Sequence, residues 1–137
     1  MLKKVFVFLS AIVIVVSFFL VGNLPIFKDY SNSHEIYLSS SSNSKNIVTK
    51  IGHSPFIFAK KGESVCIEKQ TFDLHSFLLQ MKAKVVFSEE INGKTSYYAY
   101  SPSLKYIQQI KNRNVNLHIV IGEESVKVGS PIIYGSF

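Results

Sequence analysis

Cysteine is nearly absent from this chain. Its 137 residues include one, Cys66, and no tryptophan. No internal disulfide can form, so any folded region has to hold on its packed core alone. Catalytic signatures are missing as well. There is no Gly-x-Ser-x-Gly elbow, no phosphate-binding glycine loop and no Cys–His couple with supporting context. His34, His53, His75 and His118 fit no metal-ligand spacing. Glu89-Glu90 and Glu123-Glu124 are adjacent pairs, and neighbours in a strand point to opposite faces, so neither pair makes a carboxylate dyad. Hydrolase, nucleotide-binding and zinc chemistry therefore have no support at this level, and no cofactor or metal is implied.

The chain does contain one long apolar run. Met1-Leu2-Lys3-Lys4 precedes residues 5–22, which are interrupted only by Ser10 and Ser17. At about 1.5 Å per residue, those 18 residues reach about 27 Å, close to the roughly 30 Å of a bilayer core. Two lysines ahead of such a run predict that the N-terminus stays inside and the remainder is exported. The exit, Phe18-Phe19-Leu20-Val21-Gly22-Asn23-Leu24-Pro25, lacks the small-x-small site of a signal peptidase. An uncleaved signal anchor over residues 1–24 is thus favoured over a removed signal peptide. The expected location is the cell membrane, with one crossing and an extracytoplasmic C-terminal domain, or secretion if the signal is cleaved.

Acidic residues are few. Without Lys3 and Lys4 the fifteen Lys/Arg fall to thirteen, against nine Asp/Glu, a balance of +4. That suits loose contact with an anionic envelope polymer. It does not suit nucleic acid, because the compartment is wrong and no basic cluster appears. Lys60-Lys61 and Lys111-Asn112-Arg113 read as turns.

Residues 25–46 are rich in serine and asparagine and read as a flexible spacer. Ile36-Tyr37-Leu38 is too short to build a core. Residues 47–137 read as one α+β domain. Phe56-Ile57-Phe58-Ala59 and Ser64-Val65-Cys66-Ile67 predict a hairpin turning at Lys61-Gly62, with Cys66 a buried, inert thiol. Leu74, Phe77, Leu78 and Met81 fall at i, i+3, i+4 and i+7, one stripe of a helix capped by Thr71 or Asp73. Lys84–Ile91 and Lys94–Tyr100 predict a second hairpin around Asn92-Gly93, a type I′ signal. By counting, Phe87 faces Tyr98 and Val85 faces Tyr100, all on the inward face, which leaves Tyr97 outward. Residues 104–110 and 115–121 predict a third hairpin across the four-residue loop 111–114. Residues 125–137 predict a short edge strand and a packed tail.

The resulting order is β-β-α-β-β-β-β: one helix on one face of a curved antiparallel sheet, in two layers. The uncovered face would present Tyr97, Lys105, Ile107, Gln109, Asn116 and His118. These six are the candidate platform for a protein partner or for self-association.

Residues 62–137 resemble the YwmB family of Firmicutes, exported proteins whose halves are similar to the TATA-binding-protein fold. The resemblance rests on Asn116-Leu117-His118-Ile119, on Val126-Lys127-Val128-Gly129-Ser130-Pro131-Ile132-Ile133, and on the β-α-β-β-β-β succession. It covers a little over half the chain. The family's longer region holds two such halves, and this chain has room for one. The resemblance implies an envelope or sporulation role in a Gram-positive bacterium and supplies no catalytic residue. A non-enzymatic, membrane-tethered binding or assembly domain is the expected function. The alternative is an envelope enzyme, or enzyme accessory, acting on peptidoglycan or wall polymer. That reading requires a concave site with converging titratable groups.

Overall fold

A computed structural model describes residues 2–22, 25–31, 33–38, 46–50 and 60–135. The chain is an α+β protein. Helix α1 is Leu2–Gly22, 21 residues long. Its side chains are described over residues 3–17. No helix among the described residues is long and apolar enough to cross a membrane.

The strands are β1 (Ser33–Tyr37), β2 (Asn46–Lys50), β3 (Gly62–Glu68), β4 (Lys84–Ile91), β5 (Lys94–Tyr100), β6 (Gln108–Ile110), β7 (Arg113–Val115), β8 (Leu117–Ile121) and β9 (Ser125–Ser130). A 3-10 turn at Lys69–Thr71 leads into helix α2, Leu74–Gln80. Seven strands form one antiparallel sheet in the order β2-β1-β3-β9-β8-β5-β4, while β6 and β7 make a separate ribbon.

Helix α2 forms where the stripe places it. The Asp73 carboxylate accepts the Ser76 N–H at 2.8 Å, capping the first turn. Phe77 is buried, and Leu74, Leu78 and Met81 pack on the core around it. Beneath lie Val65, Ile67, Val126, Val128, Leu117, Ile119 and Ala99. Directly paired residues of antiparallel strands share a face, so one face of the sheet builds this core. The other face carries Tyr37, Ser64, Cys66, Lys127, Gly129, His118, Val120, Tyr98, Ser96 and Phe87.

Several expectations are overturned here. Residues 33–37 are not spacer: β1 pairs with β3, Ile36 is buried and Tyr37 is fully enclosed. Pairing with β3 supplies the backbone partners and the burial that this short apolar stretch cannot supply alone. The folded unit also begins before residue 47, because Phe27 belongs to the core with no exposed surface. Burying such a ring contributes about 1.5–3 kcal/mol. His34 is buried in β1, away from solvent.

Gly62 is no turn residue. It opens β3, which pairs with β1 and β9, while Phe56–Ala59 lie outside the described residues. Glycine serves close approach there: an added Cβ would overlap the Ser130 carbonyl oxygen and stand 2.8 Å from Pro131 Cδ. Gly62→Ala is expected to cost about 1–3 kcal/mol, read as an earlier midpoint in urea unfolding. An unchanged midpoint would show that β9 can give way. Cys66 points to the second face and is exposed, because nothing packs over that part of the sheet among the described residues.

The Asn92-Gly93 hairpin forms with both residues at positive φ, 53° and 73°, and Phe87 pairs with Tyr98. A bulge at Val86 then shifts the register, so Val85 faces Ala99 and Lys84 faces Tyr100. The third hairpin is shorter than expected, its loop is two residues rather than four, and residues 117–121 take no part in it. The chain turns at Lys111-Asn112, both at positive φ (50° and 60°), pairing Gln108 with Val115 in a short ribbon. β8 instead lies between β5 and β9, and β9 lies between β3 and β8 rather than at an edge.

Candidate functional site

The six predicted platform residues do not share a surface. Tyr97 sits on the helix face, half-buried against the core. Its neighbour Tyr98 is the one on the second face, 8% exposed and paired with His118. Asn116 is fully buried. Its Oδ1 accepts the Ser101 N–H at 2.7 Å, and its Nδ2 donates to the Ser101 and Leu104 carbonyls at 2.6 and 3.2 Å. Asn116 thus pins the chain that leaves β5. Lys105, Ile107 and Gln109 are exposed, on the connection to β6 and on β6 itself. The Lys105 ammonium lies 5.7 Å from the Tyr106 ring centre.

His118 is 3% exposed, not open to solvent. It ends a stack of three rings: Phe87 on Tyr98 at 4.4 Å, and Tyr98 on His118 at 4.4 Å, with interplanar angles of 16° and 11°. Lys111 and Arg113 lie over the outer face of Phe87, 5.0 and 5.9 Å from its centre. Tyr98 donates to Glu89 at 2.8 Å, and Lys111 donates to the other Glu89 oxygen at 2.6 Å. That Lys111 contact, with the one from Tyr98, holds the Glu89 carboxyl below its ordinary range. Burial, helped by Glu89, pushes the Tyr98 phenol up to about 12.

The C-terminal tail covers this part of the sheet. Ile133 N–H donates to His118 Nδ1 at 3.3 Å, and the Tyr134 ring meets the Tyr37 ring edge-on at 5.2 Å. Burial pushes His118 down to about 4, against a weaker pull upward from Glu89. The ring is therefore neutral at pH 7 and can accept the tail's N–H. Beside it runs a polar line: Tyr37 and Ser64 hydroxyls 2.7 Å apart, Ser64 to Glu35 at 3.4 Å, and Glu35 to Lys127 at 3.2 Å. Burial raises the Tyr37 phenol to about 12, which leaves it a neutral donor.

Sequence reading missed the most heavily built polar site. Glu63 has no exposed surface. Its Oε1 accepts the N–H groups of Ile26 and Phe27 at 2.6 and 3.0 Å, and its Oε2 pairs with the Lys60 ammonium. The segment that follows α1 is thereby clamped to the domain. Phe27 inserts into the core, and Tyr30 packs edge-on against Phe77 at 4.9 Å while bonding Gln80. The partners lie 36 and 37 residues from Glu63 in sequence, and no local pattern announces such a contact.

Between this segment and α2 lies a cleft of about 320 Å³ that includes Asp29, Tyr30, Asp73, Ser76 and Gln80. Hydrogen bonds from Ser76 hold the Asp73 carboxyl below its usual range. A general acid needs the opposite displacement. No cluster of three metal-ligating side chains occurs among the described residues. No family model, curated protein or solved structure matches this chain.

Proposed function

We propose that this chain is a membrane-tethered, non-enzymatic binding or assembly domain carried outside the cytoplasmic membrane. The chain resembles the exported proteins of the YwmB family, with their TATA-binding-protein-like halves, in the residues and element succession given above. The succession β3, α2, β4, β5, β8, β9, with the β6–β7 ribbon inserted, supports that likeness. The tether is supported by the apolar run, and the Glu63 clamp sets how far the domain can stand from it. From Gly22 to Ile26 there are four Cα steps, at most about 14 Å of chain. A domain held that tightly to a bilayer helix is mounted at a fixed height rather than swung on a loose stalk.

The surface offered to a protein partner is the outer edge of β4. That strand is bonded to β5 alone among the described residues, and Val85 and Ile91 stand exposed along it. Edge pairing is an established mode of capture for such strands. The bulge at Val86 and the Arg113 bond to its carbonyl at 3.1 Å guard the first half. Residues 87–91 remain for pairing. The alternative enzyme reading needs His118 to meet a carboxylate in an open pocket. His118 is instead stacked under the tail, with Tyr98 between it and Glu89.

A photo-crosslinking residue at Ser88 of the full chain, activated in living cells, is expected to trap a discrete adduct. The same residue at Glu124, on the β8–β9 turn, should trap none. Equal labelling at both positions, or none at Ser88, would remove the edge as the binding surface.

A further inference from the structure

The two ends of the sheet carry opposite chemistry. The pairings Glu63↔Ser130, Lys84↔Tyr100 and Ala99↔Leu117 bring the starts of β3, β4 and β8 to one end. The end of α2 and the loop after β5 lie there too, since Ser101 Oγ donates to the Met81 carbonyl at 2.5 Å. Lys61, Lys82, Lys84 and Lys105 are exposed at this end. Among them stand Leu79, Ile107 and Tyr100, 66%, 52% and 36% exposed. Lys105 and Ile107 flank Tyr106, whose phenol is raised by burial and by the charge of Glu63. Glu63 itself is buried and neutralised by Lys60. Six of the nine acids, Glu68, Asp73, Glu89, Glu90, Glu123 and Glu124, lie toward the opposite end, where they outnumber Lys69, Lys94 and the Glu89-paired Lys111. The Glu63 clamp brings the chain from α1 into the domain at the cationic end.

We infer that this end is a lipid-docking surface, seated on the anionic phospholipid headgroups of the leaflet from which α1 emerges. The inference rests on the anchor reading above. Lysines interleaved with exposed apolar side chains suit a headgroup layer, where the ammonium groups meet phosphate and the apolar tips reach the acyl boundary. The clamp leaves at most about 14 Å of chain between helix and domain. The patch is thus held within one to two Debye lengths of the charged surface, about 8 Å each at physiological salt. The acidic end then faces away from the bilayer, and the free edge of β4 stands across the gap between the two.

The test uses the full chain in nanodiscs, with Cys66→Ser removing the native thiol. Spin labels are placed one at a time by Ile107→Cys, Glu90→Cys and Val13→Cys, in discs of phosphatidylcholine with or without phosphatidylglycerol. In the anionic discs, the label at 107 should collide with oxygen and lose most of its collision with a soluble nickel chelate. The label at 90 should stay chelate-accessible. Lys82→Glu with Lys105→Glu, or raised salt, should return the label at 107 to water. The inference is overturned if the label at 107 matches the one at 90 in anionic discs while the label at 13 is in lipid. A label at 13 open to water would overturn the anchor reading and this inference with it. Protection of 107 by free polyglycerol phosphate in neutral discs would make a polymer, not lipid, the ligand.

Discussion

Glu63→Ala is expected to lower the stability of the domain by about 3–5 kcal/mol, the range for breaking a buried ion pair by removing one partner. Both side chains of the Lys60–Glu63 pair are almost wholly enclosed, at 7% and 1% exposure. Deleting the carboxylate strands the Lys60 charge and orphans the N–H groups of Ile26 and Phe27 together. Only the burial of Phe27 then opposes release of the segment. Glu63→Gln should cost less, about 1–3 kcal/mol, since an amide oxygen can still accept from the two backbone groups while Lys60 loses its counter-charge. Denaturant unfolding gives the stability. Trypsin cleavage after the exposed Lys28 reports the clamp directly. Faster cleavage at Lys28 in both variants, larger in Glu63→Ala, is the expected order. Wild-type cleavage in Glu63→Ala would mean that Phe27 alone holds the segment.

Acidification should weaken the same domain through His118. Its folded value of about 4 lies below the ordinary 6.5 because of burial. Between those two values the unfolded chain binds a proton that the folded chain refuses. The stability contributed is fully present above about pH 6.5 and lost as pH falls toward about 4. At 1.36 kcal/mol per pH unit the whole displacement amounts to about 3 kcal/mol. Carboxylates titrate in part of that window, so the diagnostic quantity is the difference between wild type and His118→Phe. Phenylalanine keeps a ring on Tyr98 but removes the titrating nitrogen and the acceptor for Ile133 N–H. The variant should be less stable at pH 7 and show a shallower loss between pH 6.5 and 4. Parallel curves would mean that His118 does not carry the acid sensitivity.

What the sequence made legible is local. The Asn92-Gly93 turn and the α2 stripe each depend on residues within one turn of each other, and both form as expected. Alternation of apolar residues along Val115, Leu117, Ile119 and Ile121 is legible in the same local way, and Leu117, Ile119 and Ile121 face α2 while His118 faces away. The inversion on β5 has a plain cause. Tyr97, Tyr98 and Tyr100 are all aromatic, so alternation cannot tell which face is inward, and the bulge at Val86 hides the answer from residue counting. Lys111 and Asn112 both accept positive φ, which shortened the loop and freed β8 to pair with β5. β9 looked like an edge because Pro131 follows it, but the proline lies just past the strand.

The candidate site was less legible than the fold. Asn116 and His118 looked like surface polar residues because a sequence window shows no burial. Each is enclosed by a distant segment: residues 101–104 close over Asn116, and the tail closes over His118. The clamp at Glu63 and the sorting of charge between the ends of the sheet arise from strand order. Strand order is a long-range property that periodicity does not encode.

The central claim is that this domain lies outside the cytoplasmic membrane, fixed to its surface. The single thiol offers the most direct test, because Cys66 is exposed on the folded domain. A membrane-impermeant maleimide applied to intact cells making the full chain should label Cys66 as completely as it does after lysis. Labelling that appears only once the membrane is broken would place the domain inside and contradict the account.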